Sequence, residues 1–254
     1  MRRRLCDLAA DLLQLTGEVY FDRDSYTDAA RCYNLSVTAS RESGGHDLWA
    51  CALTRQADTS LYDRDFASAA SILDVAVHVA RRGNGALATR PWIAAVQADA
   101  FAGLGNAVDC ARSLDSAETV AAGTPYRGWI RFDGSRLAEE RGTCLLALGL
   151  VDRAETALTE AAASSLTVRR RAAVLVDLAA VAAHRLDLEQ FAAHSQEALA
   201  AAQQLGSHGV IGRKLTDLMG RIGPLAADPR VADVAAAIAE FRSAPPPTEG
   251  FAHV

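Results

Sequence analysis

Small and large apolar positions recur along this chain in one order, five times over. Each copy sets a small residue on a first helix, then usually an aromatic or aliphatic residue three positions on. Nine positions later comes a small residue on a second helix, then a large apolar one four on, then a small one three after that. The copies run Gly17-Tyr20-Ala29-Tyr33-Ser36, Ala57-Ser60-Ala69-Leu73-Ala76 and Ala98-Phe101-Cys110-Leu114-Ala117. The last two are Gly142-Leu145-Ala154-Leu158-Ala161 and, more loosely, Ala179-Ala182-Phe191-Ser195-Ala198. Steps of three and four are helical. Small residues let paired helices approach closely, and large ones fill the holes between them. No copy buries its apolar face alone, so the five must stack on one another.

This is the spacing of the tetratricopeptide repeat. The predicted repeats cover 4–44, 46–85, 86–123, 129–164 and 166–205. Their turns fall at Phe21-Asp22-Arg23-Asp24-Ser25, Tyr62-Asp63-Arg64-Asp65-Phe66, Gly103-Leu104-Gly105, Leu148-Gly149-Leu150-Val151 and Arg185-Leu186-Asp187-Leu188. The first two turns are near-copies, the internal mark of duplication. Pro91 stands at the start of its helix, a favoured place. The longest break is a Gly- and Pro-bearing loop at 121–128, just before Trp129, and Gly206 stops the last repeat. Two more helices, about 207–222 and 229–241, are expected to cap the array, so that 1–242 forms one domain. The Pro-rich remainder, 243–254, reads as a disordered tail. The expected fold is all-α: a right-handed superhelix (α-solenoid) of about five degenerate tetratricopeptide-like repeats plus C-terminal capping helices.

Composition agrees: half of the 254 residues are apolar, and Ala and Leu dominate. A net charge of −5 disfavours a wholly basic nucleic-acid surface. The cysteines Cys6, Cys32, Cys51, Cys110 and Cys144 form no Cys-x-x-Cys pair and read as small core hydrophobes in a reducing cytoplasm. No apolar run is long enough to span a membrane. Asp7 and Asp11 interrupt what would otherwise follow Arg2-Arg3-Arg4 as a signal peptide.

The segments Phe132 to Leu158, Arg169 to Ala179, Asp187 to Leu199, Gly209 to Val231 and Asp47 to Asp58 give the chain a resemblance to a family. It resembles the tetratricopeptide region of actinobacterial transcriptional regulators that begin with a Cro/C1-type (XRE) helix-turn-helix domain. That family carries its DNA-reading domain upstream, whereas this sequence starts at the first repeat helix. The resemblance therefore implies a sensing and protein-interaction module of a transcriptional regulator, without direct nucleic-acid contact through this chain.

First-helix positions one turn apart should line the concave groove. The register places Asp11, Gln14, Glu18 and Phe21 there from repeat one, and Thr54, Asp58 and Leu61 from repeat two. Trp92, Ala95 and Asp99 follow from repeat three, and Arg136, Glu139 and Thr143 from repeat four. Glu18, Asp58 and Asp99 share one position in three successive repeats, and Glu139 lies a turn earlier. Two readings of this acidic ladder stand side by side. It attracts a cationic effector or basic peptide, with Phe21 and Trp92 as anchors. Or it is a solvated face that Arg55, Arg136 and Arg141 neutralise.

Other chemistry is not signalled. Arg169-Arg170-Arg171 reads as a solvated turn paired with glutamates such as Glu160. No histidine pattern suits a metal, no glycine motif suits a phosphate, and no carboxylate pair is marked for acid–base work. The expectation is a non-enzyme with no cofactor and no metal. Its partners would be a peptide, protein or small effector, no membrane, and a homodimer through the capping helix near Met219. The alternative is a stand-alone interaction scaffold.

Overall fold

The computed structural model describes residues 1–85, 87–118, 135–205 and 209–243. The expected loop at 121–128, Trp129, the stop at Gly206 and the tail beyond 243 lie outside the described residues. Within them the structure is all-helical. No helix among them is long and apolar enough to cross a membrane. Contacts divide the chain into two compact units, 1–150 and 151–254.

The first unit holds α1 (Arg2–Asp22), α2 (Tyr26–Ser43), α3 (His46–Tyr62), α4 (Phe66–Ala80), α5 (Thr89–Gly103), α6 (Ala107–Ala117) and α7 (Leu137–Ala147). α1 pairs with α2, α3 with α4, and α5 with α6. Each pair packs on the next through its second helix, and first helices also touch along the series α1, α3, α5, α7. This is α-solenoid packing, and one face of the unit is built from first helices alone. Pattern positions carry the packing. Ala29, Tyr33, Ala57, Ala69, Leu73, Ala98, Cys110 and Leu114 are all buried. Gly17 is required where it stands, because a Cβ there would run into the Tyr33 ring.

The turns show why the second position of each copy tolerates Ser60 and Ala182. The residue after each first helix's cap adopts a left-handed backbone: Asp24 (φ 62°), Arg64 (61°), Gly105 (71°), Gly149 (73°) and Leu186 (59°). The next backbone N–H then donates to the carbonyl five residues back. Ser25 reaches Tyr20 at 2.9 Å, Asp65 reaches Ser60 at 2.9 Å, and Asn106 reaches Phe101 at 2.8 Å. Leu150 reaches Leu145 and Asp187 reaches Ala182, both at 2.9 Å. These are Schellman closures. The repeated residue supplies a carbonyl, so its side chain is free to vary. Asp65, Asn106 and Asp187 then cap the following helix through their side chains.

The second unit holds α8 (Val151–Ala162), α9 (Val168–His184), α10 (Leu188–Leu205), α11 (Val210–Met219), a 3₁₀ turn (Gly223–Ala227) and α12 (Pro229–Ser243). α11 ends at Met219, short of the expected bound near 222. α9 is buried on nearly all sides, between α8, α10 and α11. Its one buried acid, Asp177, takes two hydrogen bonds from the Lys214 ammonium of α11, at 2.6 and 2.7 Å. α11 thus sits on α9 and α12 on α10, where capping helices were expected.

Candidate functional site

The face built from α1, α3, α5 and α7 holds the acidic ladder, but its members are not equivalent. Glu18 of α1 accepts a hydrogen bond from the Tyr33 hydroxyl at 2.9 Å and forms an ion pair with Arg55 of α3. The Arg55 guanidinium in turn lies over the Trp92 ring of α5, 5.3 Å from its centroid. One chain of contacts, Tyr33–Glu18–Arg55–Trp92, therefore crosses three successive repeats. Arginine suits this place because its flat cation can stack on an aromatic face and pair with a carboxylate at once. Burial lowers the Arg55 pKa to about 10, with Asp58 opposing, so the group stays cationic at neutral pH.

Asp58, one turn along α3, is half-buried beside this chain. Burial pushes its carboxyl up to about 7. Asp99 and Glu140 push in the same direction, while Arg55 and Arg136 oppose them. The result is a carboxyl poised between charged and neutral forms at physiological pH. It faces acids from α5 and α7 and is set close to Arg55, which carries the Trp92 ring.

The other expected groove residues lie elsewhere. Gln14 and Thr54 have no exposed surface. Gln14 Nε2 donates to the Leu48 carbonyl at 3.2 Å, and its Oε1 has no hydrogen-bond partner. Thr54 donates to the Ala50 carbonyl of its own helix at 2.9 Å. Phe21 packs at the mouth of the first turn, edge-on to Tyr26 (5.1 Å) and Tyr62 (5.9 Å), while Tyr26 stacks on Tyr62 at 3.8 Å. Ala95 is buried against Trp92 and Leu137. Glu139 is buried and Thr143 half-buried, and the α7 acid that acts on Asp58 is Glu140. Arg136 is exposed at the cap of α7, from where its charge still acts on Asp58. Arg141 turns away to Glu118 and Asp115.

Sequence reasoning thus under-weighted Arg55 and missed Tyr33 and Glu140. A signal for Arg55 did exist: it stands three residues before Asp58, on the same helix face. Tyr33 carried no such signal, because its hydroxyl meets Glu18 only through the packing of α2 on α1.

In the second unit Arg171 pairs with Glu197 of α10 at 3.1 Å, not with Glu160. That pair borders a shallow cleft of about 320 Å³ over Leu175 and Ala200. Among the described residues no cluster of His, Cys, Asp and Glu has metal-site geometry.

No protein-family model matches the chain, and no curated protein matches it. Among solved structures it is similar to a TPR repeats protein from Bacteroides fragilis. That likeness covers 92% of this chain and 97% of the other, at 13% identity and a TM-score of 0.31. At those values it adds nothing to what the helices themselves display.

Proposed function

We propose that this chain is a protein-interaction module whose first-helix face binds a cationic group, such as a lysine or arginine side chain of a peptide or a small cationic effector. The observation that carries this reading is the half-buried Asp58 carboxyl, pushed up to about 7 by burial, beside Asp99 and Glu140 of neighbouring helices. An incoming cation replaces the proton that Asp58 otherwise takes up. Trp92 and its partner Arg55 form a fixed wall beside it. The resemblance to the repeat region of helix-turn-helix regulators supports a sensing role, in which such binding is reported to an attached DNA-reading domain.

Because binding displaces a proton, affinity should rise about tenfold per pH unit between roughly pH 5 and 7 and level off above. Titrating arginine- or lysine-bearing peptides against the protein by calorimetry, with acidic peptides as controls, tests this. Binding that is independent of pH, or unchanged in Asp58→Asn, would remove the basis for the proposal. The second reading, a constitutive scaffold, is favoured by the Glu18–Arg55–Trp92 chain, which ties three repeats together. Solution scattering separates the two: a scaffold keeps its profile when the peptide binds.

A further inference from the structure

We propose that the outer face of α1 is a self-docking surface on which a second copy of this chain packs antiparallel. α1 is apolar on two sides. One side, with Ala10, Gln14 and Gly17, is buried in the first unit. On the other, Leu5, Leu8, Leu12, Leu15 and Val19 keep 45–63% of their surface exposed, and Met1 continues the row. Their spacing alternates three and four residues, so they form an unbroken coiled-coil seam along the helix. Scattered exposed leucines need no explanation, but a continuous seam of five on one helix does. Leu35 of α2 is also exposed. It shares its helix face with Glu42, two turns on, which forms an ion pair with Arg2 beside the seam. That contact brings this strip of α2 next to the patch.

Register and charge select the occupant and its direction. Run antiparallel against itself, the seam pairs Leu5 with Leu15, Leu8 with Leu12 and Met1 with Val19, leaving no seam residue unmatched. The ends of α1 carry opposite charge, with exposed Arg2, Arg3 and Arg4 at the start and exposed Asp22 in the last turn. Antiparallel packing sets the basic end of one copy toward the acidic end of the other. Parallel packing sets three arginines against three arginines. α1 with the adjoining strip of α2, two helices about 10 Å wide over about 30 Å, offers roughly 600 Å² per copy. Two such faces reach the lower edge of stable interfaces, about 1,200 Å² in total, the size of a weak, reversible dimer.

Sedimentation equilibrium of the full chain across concentration is the first test. The expected result is a monomer–dimer transition that Leu12→Glu abolishes, with the helical circular dichroism and its melt unchanged at dilutions where the wild type is monomeric, because Leu12 is surface-exposed. In a Cys6→Ser background, the double variant Leu5→Cys/Leu15→Cys should oxidise to a covalent dimer, and Leu5→Cys alone should not. A wild-type chain still monomeric at about 1 mM overturns the proposal and leaves the seam to a different partner. So does a dimer that survives Leu12→Glu, which would place the contact elsewhere, near Met219 for instance. Self-crosslinking by Leu5→Cys alone overturns the antiparallel arrangement.

Discussion

Replacing Asp58 with asparagine should make the protein more stable at alkaline pH and flatten its stability profile. The folded carboxyl has a pKa near 7, against an ordinary value of 3.8. Between those values the folded state holds a proton that the unfolded chain has released. Stability therefore falls as pH rises through this window, by about 1.4 kcal/mol per unit. From about pH 5 to pH 8 the loss attributable to Asp58 is roughly 3 kcal/mol, most of it incurred below pH 7. Asparagine copies the neutral carboxylic acid and removes the term. Relative to wild type, Asp58→Asn should thus gain about 3 kcal/mol more at pH 8 than at pH 5, or about 6–12 °C in melting temperature for a chain of this size. Urea denaturation of both proteins at the two pH values gives the double difference. Groups that do not interact with Asp58 cancel in it, including His194, whose imidazole is held below its usual range by burial. Parallel profiles, within about 0.5 kcal/mol, would show that Asp58 is ionised throughout and that its neighbours solvate the charge fully.

Two further outcomes follow from the packing. Gly17→Ala should destabilise the first unit by about 1–3 kcal/mol in chemical denaturation, although alanine is ordinarily the better helix former by about 1 kcal/mol, because the new methyl meets the Tyr33 ring. A stabilised variant would mean that the α1–α2 contact is loose. In the second unit, Lys214→Met removes two hydrogen bonds from the buried Asp177 carboxylate and should cost about 1.5–3 kcal/mol near neutral pH, whereas the double change Lys214→Met/Asp177→Leu should cost less. Denaturation monitored by circular dichroism distinguishes these outcomes.

Much of the architecture was legible in the chain because it depends on local geometry repeated at a fixed interval. Alternating small and large residues place helices and their buried stripes. The near-identical turns announce left-handed closures, later seen at Asp24 and Arg64. The site was less legible. Register projected Gln14, Thr54 and Phe21 toward an open face, yet the first two are sealed between or within helices and Phe21 stacks at a turn. Projection gives a direction from the helix axis but not what the neighbouring helix has already covered.

By itself, the sequence determined the helices, the turns between them and the recurrence of acids at Glu18, Asp58 and Asp99. It could do so because helical periodicity, turn chemistry and charge are properties of near neighbours in the chain. Only the tertiary structure decided that these acids differ. Glu18 is paired with Arg55 and held by Tyr33, while Asp58 is drawn toward neutrality by burial, with Asp99 and Glu140 adding to it. A carboxyl's charge depends on how much water remains around it and on which charges lie within a few ångströms. In this fold those charges come from helices tens of residues apart.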